Sequence, residues 1–307
     1  MRPRNLGRRN AGRTRLSHRP QSAAYARLER QVNAHEWLAV HHGAAPLIVS
    51  FPHTGTEIPA SLEPKLVSPW LARKDADHWV DVLYDFAHGL GATTIRTALS
   101  RTAIDVNRDP AGVSLYPGQT TTGLCPVETF AGEALYKPGC APDAAEIARR
   151  RVEYFDPYHA ALRSETERLR AVHRAVVVYD AHSILSRAPR LFEGELPQFN
   201  IGTDNGTTCS PALTAAIEAI CDRSGMSRVT NGRFRGGWIT RHYGKPQNGI
   251  HAIQMELAMR GYLEEPTEAL TPTNWPLPLD DTHASTLRVA LRDILDACIA
   301  FATGQSS

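Results

Sequence analysis

One stretch constrains the rest of the chain: Ala175-Val-Val-Val-Tyr-Asp-Ala-His-Ser183. Its unbroken β-branched run has the composition of a strand buried on both faces, as in a parallel sheet. That points to an α/β architecture. The run ends in Asp180 and His182, and α/β sheets place ligands at the carboxyl ends of their strands. His182 is therefore the first candidate functional residue. Asp180 precedes it by two positions, on the same strand face, where it could orient His182 or serve as a structural hydrogen-bonding acid.

With 307 residues, the chain is one large domain or two small ones. It is long enough to bury about 75% of its unfolded surface without disulfide or metal staples. No apolar run approaches the ~20 residues that a membrane span needs. The five cysteines, at 125, 140, 209, 221 and 298, are odd in number and form no CxxC pair. This fits a reducing compartment and excludes a thiolate zinc motif. The net charge of +2 hides an asymmetry: residues 1–28 hold eight arginines and no acid, leaving 26 basic against 32 acidic residues in the remainder. Residues 1–28 read as a disordered basic tail. They lack the apolar core of a secretory signal. The mildly acidic body, 29–307, reads as a single domain, without the basic, aromatic-interleaved surface of a nucleic-acid binder.

In chain order, a short helix is expected around 22–32. Pro46-Leu-Ile-Val-Ser-Phe-Pro-His53 is a second buried strand that runs out into a histidine. Residues 75–89 predict an amphipathic helix with Trp79, Val82, Leu83 and Phe86 inward. Asp75, Asp77 and His78 at its start either complement the helix dipole or turn a carboxylate into a site. Strands are expected over 93–99 and 102–110, the second closing on Asp105, Asn107, Arg108 and Asp109 beside Arg101. An Asn–Arg pair there suits a carboxylate, although a surface ion pair explains the arginine equally well. Residues 111–140 predict a long loop of the kind that walls a site. Helix is expected over 142–172, interrupted at Asp156-Pro157. A strand follows at 199–204, a helix at 210–224, and a final helix at 282–302. Phe234-Arg-Gly-Gly-Trp-Ile-Thr-Arg-His-Tyr-Gly244 is glycine-rich and basic, with Arg235 and Arg241 as anion candidates. Ile250–Leu257 alternates with period two and puts Gln254 and Glu256 on one otherwise buried face. A buried Glu is rare unless it is paired or chemically active.

Taken together, Pro52-His-Thr-Gly…Ile-Pro59, the segment around Asp77, Ser100-Arg…Ile-Asp-Val-Asn-Arg-Asp-Pro110, Tyr179-Asp-Ala-His-Ser183, the 234–244 segment and Ile253-Gln-Met-Glu-Leu257 resemble the N-formylglutamate amidohydrolase family. The resemblance runs in order over about 45–265. It implies an α/β fold with a twisted mixed sheet flanked by helices, zinc-carboxypeptidase-like within the phosphorylase/hydrolase-like group. It implies His53 and His182 as metal ligands, with Asp77 as third ligand and Glu57 as the alternative. Glu256 would be the general base. Arg101, Asn107, Arg108, Arg235, Arg241 and Gln254 would bind substrate. The implied cofactor is Zn2+ or another divalent metal. The implied partner is a small dicarboxylate, with no nucleic acid or membrane, in a cytoplasmic step of histidine degradation.

Overall fold

Among the described residues, seven strands, β1 (Leu38–His41), β2 (Leu47–Phe51), β3 (Thr93–Thr97), β4 (Val176–Ile184), β5 (Phe199–Gly202), β6 (Arg228–Thr230) and β7 (Ile250–Ala258), form one sheet in the order β1-β3-β2-β4-β7-β5-β6. These coordinates are a computed structural model that describes residues 37–304 except 116, 117, 119 and 120. The basic tail over 1–28 and the short helix expected at 22–32 lie outside the described residues. β4 is central and parallel to both β2 and β7. β2 and β3, and β5 and β6, also pair in parallel, while β1 and β5 run antiparallel to their neighbours β3 and β7. All nine β4 residues are buried, as the β-branched run requires.

The helices are α1 (Leu71–Lys74), α2 (Val80–Leu83), α3 (Ala144–Arg150), α4 (Asp156–Arg170), α5 (Pro211–Arg223), α6 (Trp238–Tyr243) and α7 (Asp281–Thr303). Ser210 caps α5 by accepting from Ala212 N–H, with Pro211 in the first turn. Asp280 caps α7 in the same way through Thr282 N–H. A π-helical turn over Arg151–Phe155 joins α3 to α4, because Pro157 has no N–H to offer the carbonyl four residues back.

The alternation along the strands sorts the core into two layers. Leu47, Val49, Val177, Tyr179, Ile253 and Met255 face α5 and α7, where they meet Leu213, Ile217, Leu287, Leu291 and Ile294. Ile48, Val176, Val178 and Ala252 face α4 and α6, where they meet Tyr158, Leu162, Ile239 and Tyr243. Toward the carboxyl ends this second face turns polar: Asp180 and His182 continue β4, and Gln254 and Glu256 continue β7 directly beside them in register.

Two expectations are corrected. The helix over 75–89 is broken: Trp79 sits at φ 66, a left-handed conformation that ends regular helix, and only α2 and a 3₁₀ turn over Asp85–Leu90 follow. Trp79 is consequently 36% exposed rather than inward. The segment 102–110 is not a strand. Ile104 and Val106 are buried in the core, so the alternation is real, but the segment winds through turns, held by Asp105 N–H to the Leu124 carbonyl (2.8 Å) and Trp238 N–H to the Asn107 carbonyl (3.2 Å). No helix or strand occurs among the described residues of 111–140.

Candidate metal centre and active site

β2 is followed in the chain by β3, its neighbour on one side, and β4 by β5, which lies on the other. Where adjacent parallel strands diverge in this way, the sheet opens a crevice at their carboxyl ends. The exit of β2 delivers His53 to the crevice and β4 delivers His182. Asp77 arrives from the irregular segment before Trp79, fixed there by its own N–H donated to the His53 carbonyl (2.9 Å). All three side chains are buried.

His53 Nδ1 lies 3.1 Å from His182 Nδ1, His182 Nδ1 lies 3.1 Å from Asp77 Oδ2, and His53 Nδ1 lies 3.8 Å from Asp77 Oδ2. The point equidistant from these atoms is about 2.0 Å from each, within the roughly 2.0–2.2 Å range of zinc bonds to imidazole and carboxylate. The tautomers agree with this. His53 Nε2–H donates to Asp105 Oδ1 (2.7 Å), and His182 Nε2–H donates to Asp180 Oδ2 (2.9 Å). With those protons on Nε2, each ring turns Nδ1 toward the same point, where a divalent ion would accept both lone pairs. The His53, Asp77 and His182 cluster fits a divalent ion with a carboxylate behind each histidine.

The electrostatics favour positive charge at this point. Burial lowers the His182 pKa, but Asp180 and Asp77 overcome it and hold the proton well above the usual range. Burial, helped by Arg101, lowers His53. Asp105 is raised by burial, yet His53, Arg108 and Arg101 outweigh that and keep it well below the usual carboxylate range. Arg101 Nη2 donates to Asp105 Oδ2 (2.7 Å), and its Nη1 stands 3.8 Å from Asp77 Oδ1.

Glu256 stands beside His182 across the β4–β7 ladder and lines a cavity of about 160 Å³ with His53 and His182. Burial pushes its pKa up to about 7, partly opposed by His182. Gln254 Nε2–H donates to Glu256 Oε2 (3.0 Å), while Gln254 Oε1 accepts from Gly237 N–H (2.7 Å). Asn107 is held in a parallel manner: its Oδ1 accepts from Ile239 N–H (2.7 Å) and its Nδ2 donates to Asp180 Oδ2 (2.8 Å).

The structure brings His53, Asp77, His182, Glu256, Gln254, Asn107, Arg101 and Arg108 to this one place. Arg108 donates to Thr122 and lies 3.6 Å from Asp105. Glu57 is not in the cluster. It is exposed, because its backbone pairs with Ala98 and Ser100 beyond β3 and turns the side chain away. Arg235 and Arg241 do not line the cavity. Arg235 is exposed and donates to the Gly232 carbonyl; Arg241 donates to the Gly236 carbonyl (2.9 Å) and stands 3.3 Å from Asp204. Asp75 does not cap a helix N-terminus; it follows α1, and its carboxylate accepts from Phe130 N–H (2.6 Å). Arg190 and Arg233 line the cavity instead, from loops after β4 and β6 that no periodicity marks. Asp105 behind His53 was visible only as one acid in a polar run.

The mixed α/β sheet with these groups at its central strand ends is the arrangement that the family resemblance implies, a hydrolase of carboxypeptidase-like fold. The N-formylglutamate amidohydrolase family model matches residues 45–263, and the chain belongs to that family. It is 42% identical over 265 residues to the N-formylglutamate deformylase of Pseudomonas putida, covering 86% of this chain and 96% of that one. It is 41% identical over 267 residues to the N-formylglutamate deformylase of Pseudomonas aeruginosa, covering 87% and 97%. Among solved structures, an N-formylglutamate amidohydrolase from Ralstonia eutropha superposes with a TM-score of 0.68 at 27% identity, over 86% of this chain and 96% of that one. A protein from Agrobacterium tumefaciens shares the fold at 18% identity, TM-score 0.64, over 86% and 95%.

Proposed function

We propose that this chain hydrolyses the formyl amide of N-formyl-L-glutamate to formate and L-glutamate, with residues 29–307 acting as one amidohydrolase domain. The observation that carries this reading is the 41–42% identity to N-formylglutamate deformylases over 86–87% of the chain, joined to a buried two-histidine, one-aspartate cluster with a glutamate beside it. The four arginines on the cavity wall, Arg101, Arg108, Arg190 and Arg233, suit a dianionic substrate. On the same family reading the metal is Zn2+ or another divalent ion, and the reaction is a cytoplasmic step of histidine degradation.

His53, Asp77 and His182 are the ligands in this reading. An ion held there would polarise the formyl carbonyl and lower the pKa of the attacking water to about 7. Glu256 is the general base. Its pKa of about 7 balances an ionised fraction at neutral pH against proton affinity. As the water oxygen bonds to the formyl carbon, Glu256 takes the proton that is released. It then gives that proton to the amide nitrogen as the carbon–nitrogen bond breaks, so glutamate leaves with a neutral amine. Asp105 and Asp180 hold the two imidazoles in the tautomer that leaves Nδ1 free to ligate. Arg101 offsets the charge of Asp105 and Asp77.

The test is formate release by the purified, zinc-loaded chain from N-formyl-L-glutamate, beside N-formyl-L-methionine and N-acetyl-L-glutamate. N-Formyl-L-glutamate is expected to be turned over with the highest kcat/KM. Release from another substrate with none from N-formyl-L-glutamate would overturn the assignment.

A further inference from the structure

We propose that Gln254 is a positioning residue, oriented by the backbone N–H of Gly237, that reserves the Oε1 atom of Glu256 for proton transfer. The inference rests on Glu256 being the base. A side-chain amide can be turned either way, but here only one orientation is satisfied. Gly237 N–H can only donate, so the Gln254 atom facing it at 2.7 Å is Oε1. Nε2 must then face Glu256 Oε2, at 3.0 Å. A donor fixed on Oε2 leaves Oε1 as the oxygen that takes and returns the proton.

The sequence Gly236-Gly237 makes this placement possible. Gly236 has φ +117, a conformation that other residues rarely adopt. A Cβ at Gly237 would lie 2.5–2.6 Å from the side-chain amide of Asn107, so the α6 turn comes this close only without one. The same turn donates Ile239 N–H to Asn107 Oδ1, and Asn107 passes its own N–H on to Asp180. Two amides are thus set by one turn: one serves the base, the other the carboxylate behind His182. Gln254 has both polar ends occupied by protein partners and is only 4% exposed.

The experiment measures kcat and KM for formate release from N-formyl-L-glutamate, with bound zinc quantified, in Gln254→Met, Glu256→Gln and the double variant. Gln254→Leu is added as a second variant that removes the donor to Glu256 without adding a titratable group. Either Gln254 substitution is expected to lower kcat by ~10- to ~10²-fold, the scale of a misplaced catalytic group. KM should stay within about twofold, because uniform substrate binding is untouched, and zinc content should hold. In the Glu256→Gln background, Gln254→Met should cost nothing further. Full activity of Glu256→Gln would overturn the base assignment itself. With Glu256→Gln impaired but measurable, three results would each overturn the positioning role alone: unchanged kcat in the Gln254 variants, a raised KM with kcat retained, or the same fold loss in both backgrounds.

Discussion

Glu256→Gln in the metal-stripped protein should make the fold more stable while removing activity. The carboxyl is buried beside Asp77 and Asp180, and its pKa rises from 4.5 to about 7. At roughly 1.4 kcal/mol per tenfold change in proton affinity, the ionised form costs about 3 kcal/mol in the folded state. The sign follows from linkage. Below pH 4.5 both the folded and unfolded states hold the proton and the cost is absent. Between 4.5 and 7 the unfolded chain ionises first, and folding is penalised increasingly. Above 7 the penalty is complete. The wild type should therefore lose about 3 kcal/mol relative to Glu256→Gln between pH 4.5 and pH 8, read as the difference in urea-unfolding free energy at the two ends. Zinc should narrow the gap, since a cation beside the carboxylate offsets the cost of ionising it. Kinetically, loss of the base should cost about 10²- to 10⁴-fold in kcat. A wild type and variant whose stability difference is the same at pH 5 and pH 8 would refute the buried-carboxylate argument.

Further outcomes follow from the groups around the metal cluster. Asp180→Asn removes the charge that His182 Nε2–H donates to, and zinc affinity should fall roughly 10- to 100-fold in a chelator competition; an unchanged affinity would sink the orienting role. Gly237→Ala forces a methyl group against the Asn107 amide, within 2.5 Å of Nδ2, and should cost about 1–3 kcal/mol in urea unfolding. Gly89→Ala, with nothing within 4 Å of the added Cβ, should change stability by no more than about 0.5 kcal/mol.

The central strands were legible because their burial is written in composition. An all-apolar run ending in His182, and a period-two strand with Glu256 on a buried face, each place a residue at a strand end without tertiary information. β1 and β6 were not legible: they are short edge strands of four and three residues, and their pairing depends on neighbours distant in sequence. The failures at 75–89 and 102–110 share one cause. Both segments alternate or repeat correctly, and Leu83, Ile104 and Val106 are indeed buried. Yet each must also deliver a carboxylate to the crevice. Asp77 gives its N–H to His53, and Trp79 takes a left-handed turn. Asp105 meets both His53 and Arg101. Regular structure yields where site geometry demands it. Arg190 and Arg233 left no sequence signal because loop side chains carry no periodicity.

Asp77 illustrates how such a site can be built by the fold alone. The family resemblance implies Asp77 as the third metal ligand with Glu57 as the alternative, and Glu57 lies nearer to His53 in sequence. The backbone brings Asp77, not Glu57, to the two histidines. Asp77 N–H donates to the carbonyl of His53 (2.9 Å), and Ser183 N–H, one residue past His182, donates to Asp77 Oδ2 (3.1 Å). His53, Asp77 and His182 are thereby stitched to one another through main-chain groups, while Asp105 and Asp180 hold the imidazoles. Asp77 and Asp105 lie buried beside the Arg101 guanidinium, and Asp180 and Glu256 lie buried beside His182, an arrangement that would be costly without compensating positive charge. The stitching holds the carboxylates in place despite their repulsion, and a divalent ion bound there would relieve it. Metal affinity would then arise from charge already concentrated by the fold, rather than from ligands that must be gathered as the ion binds.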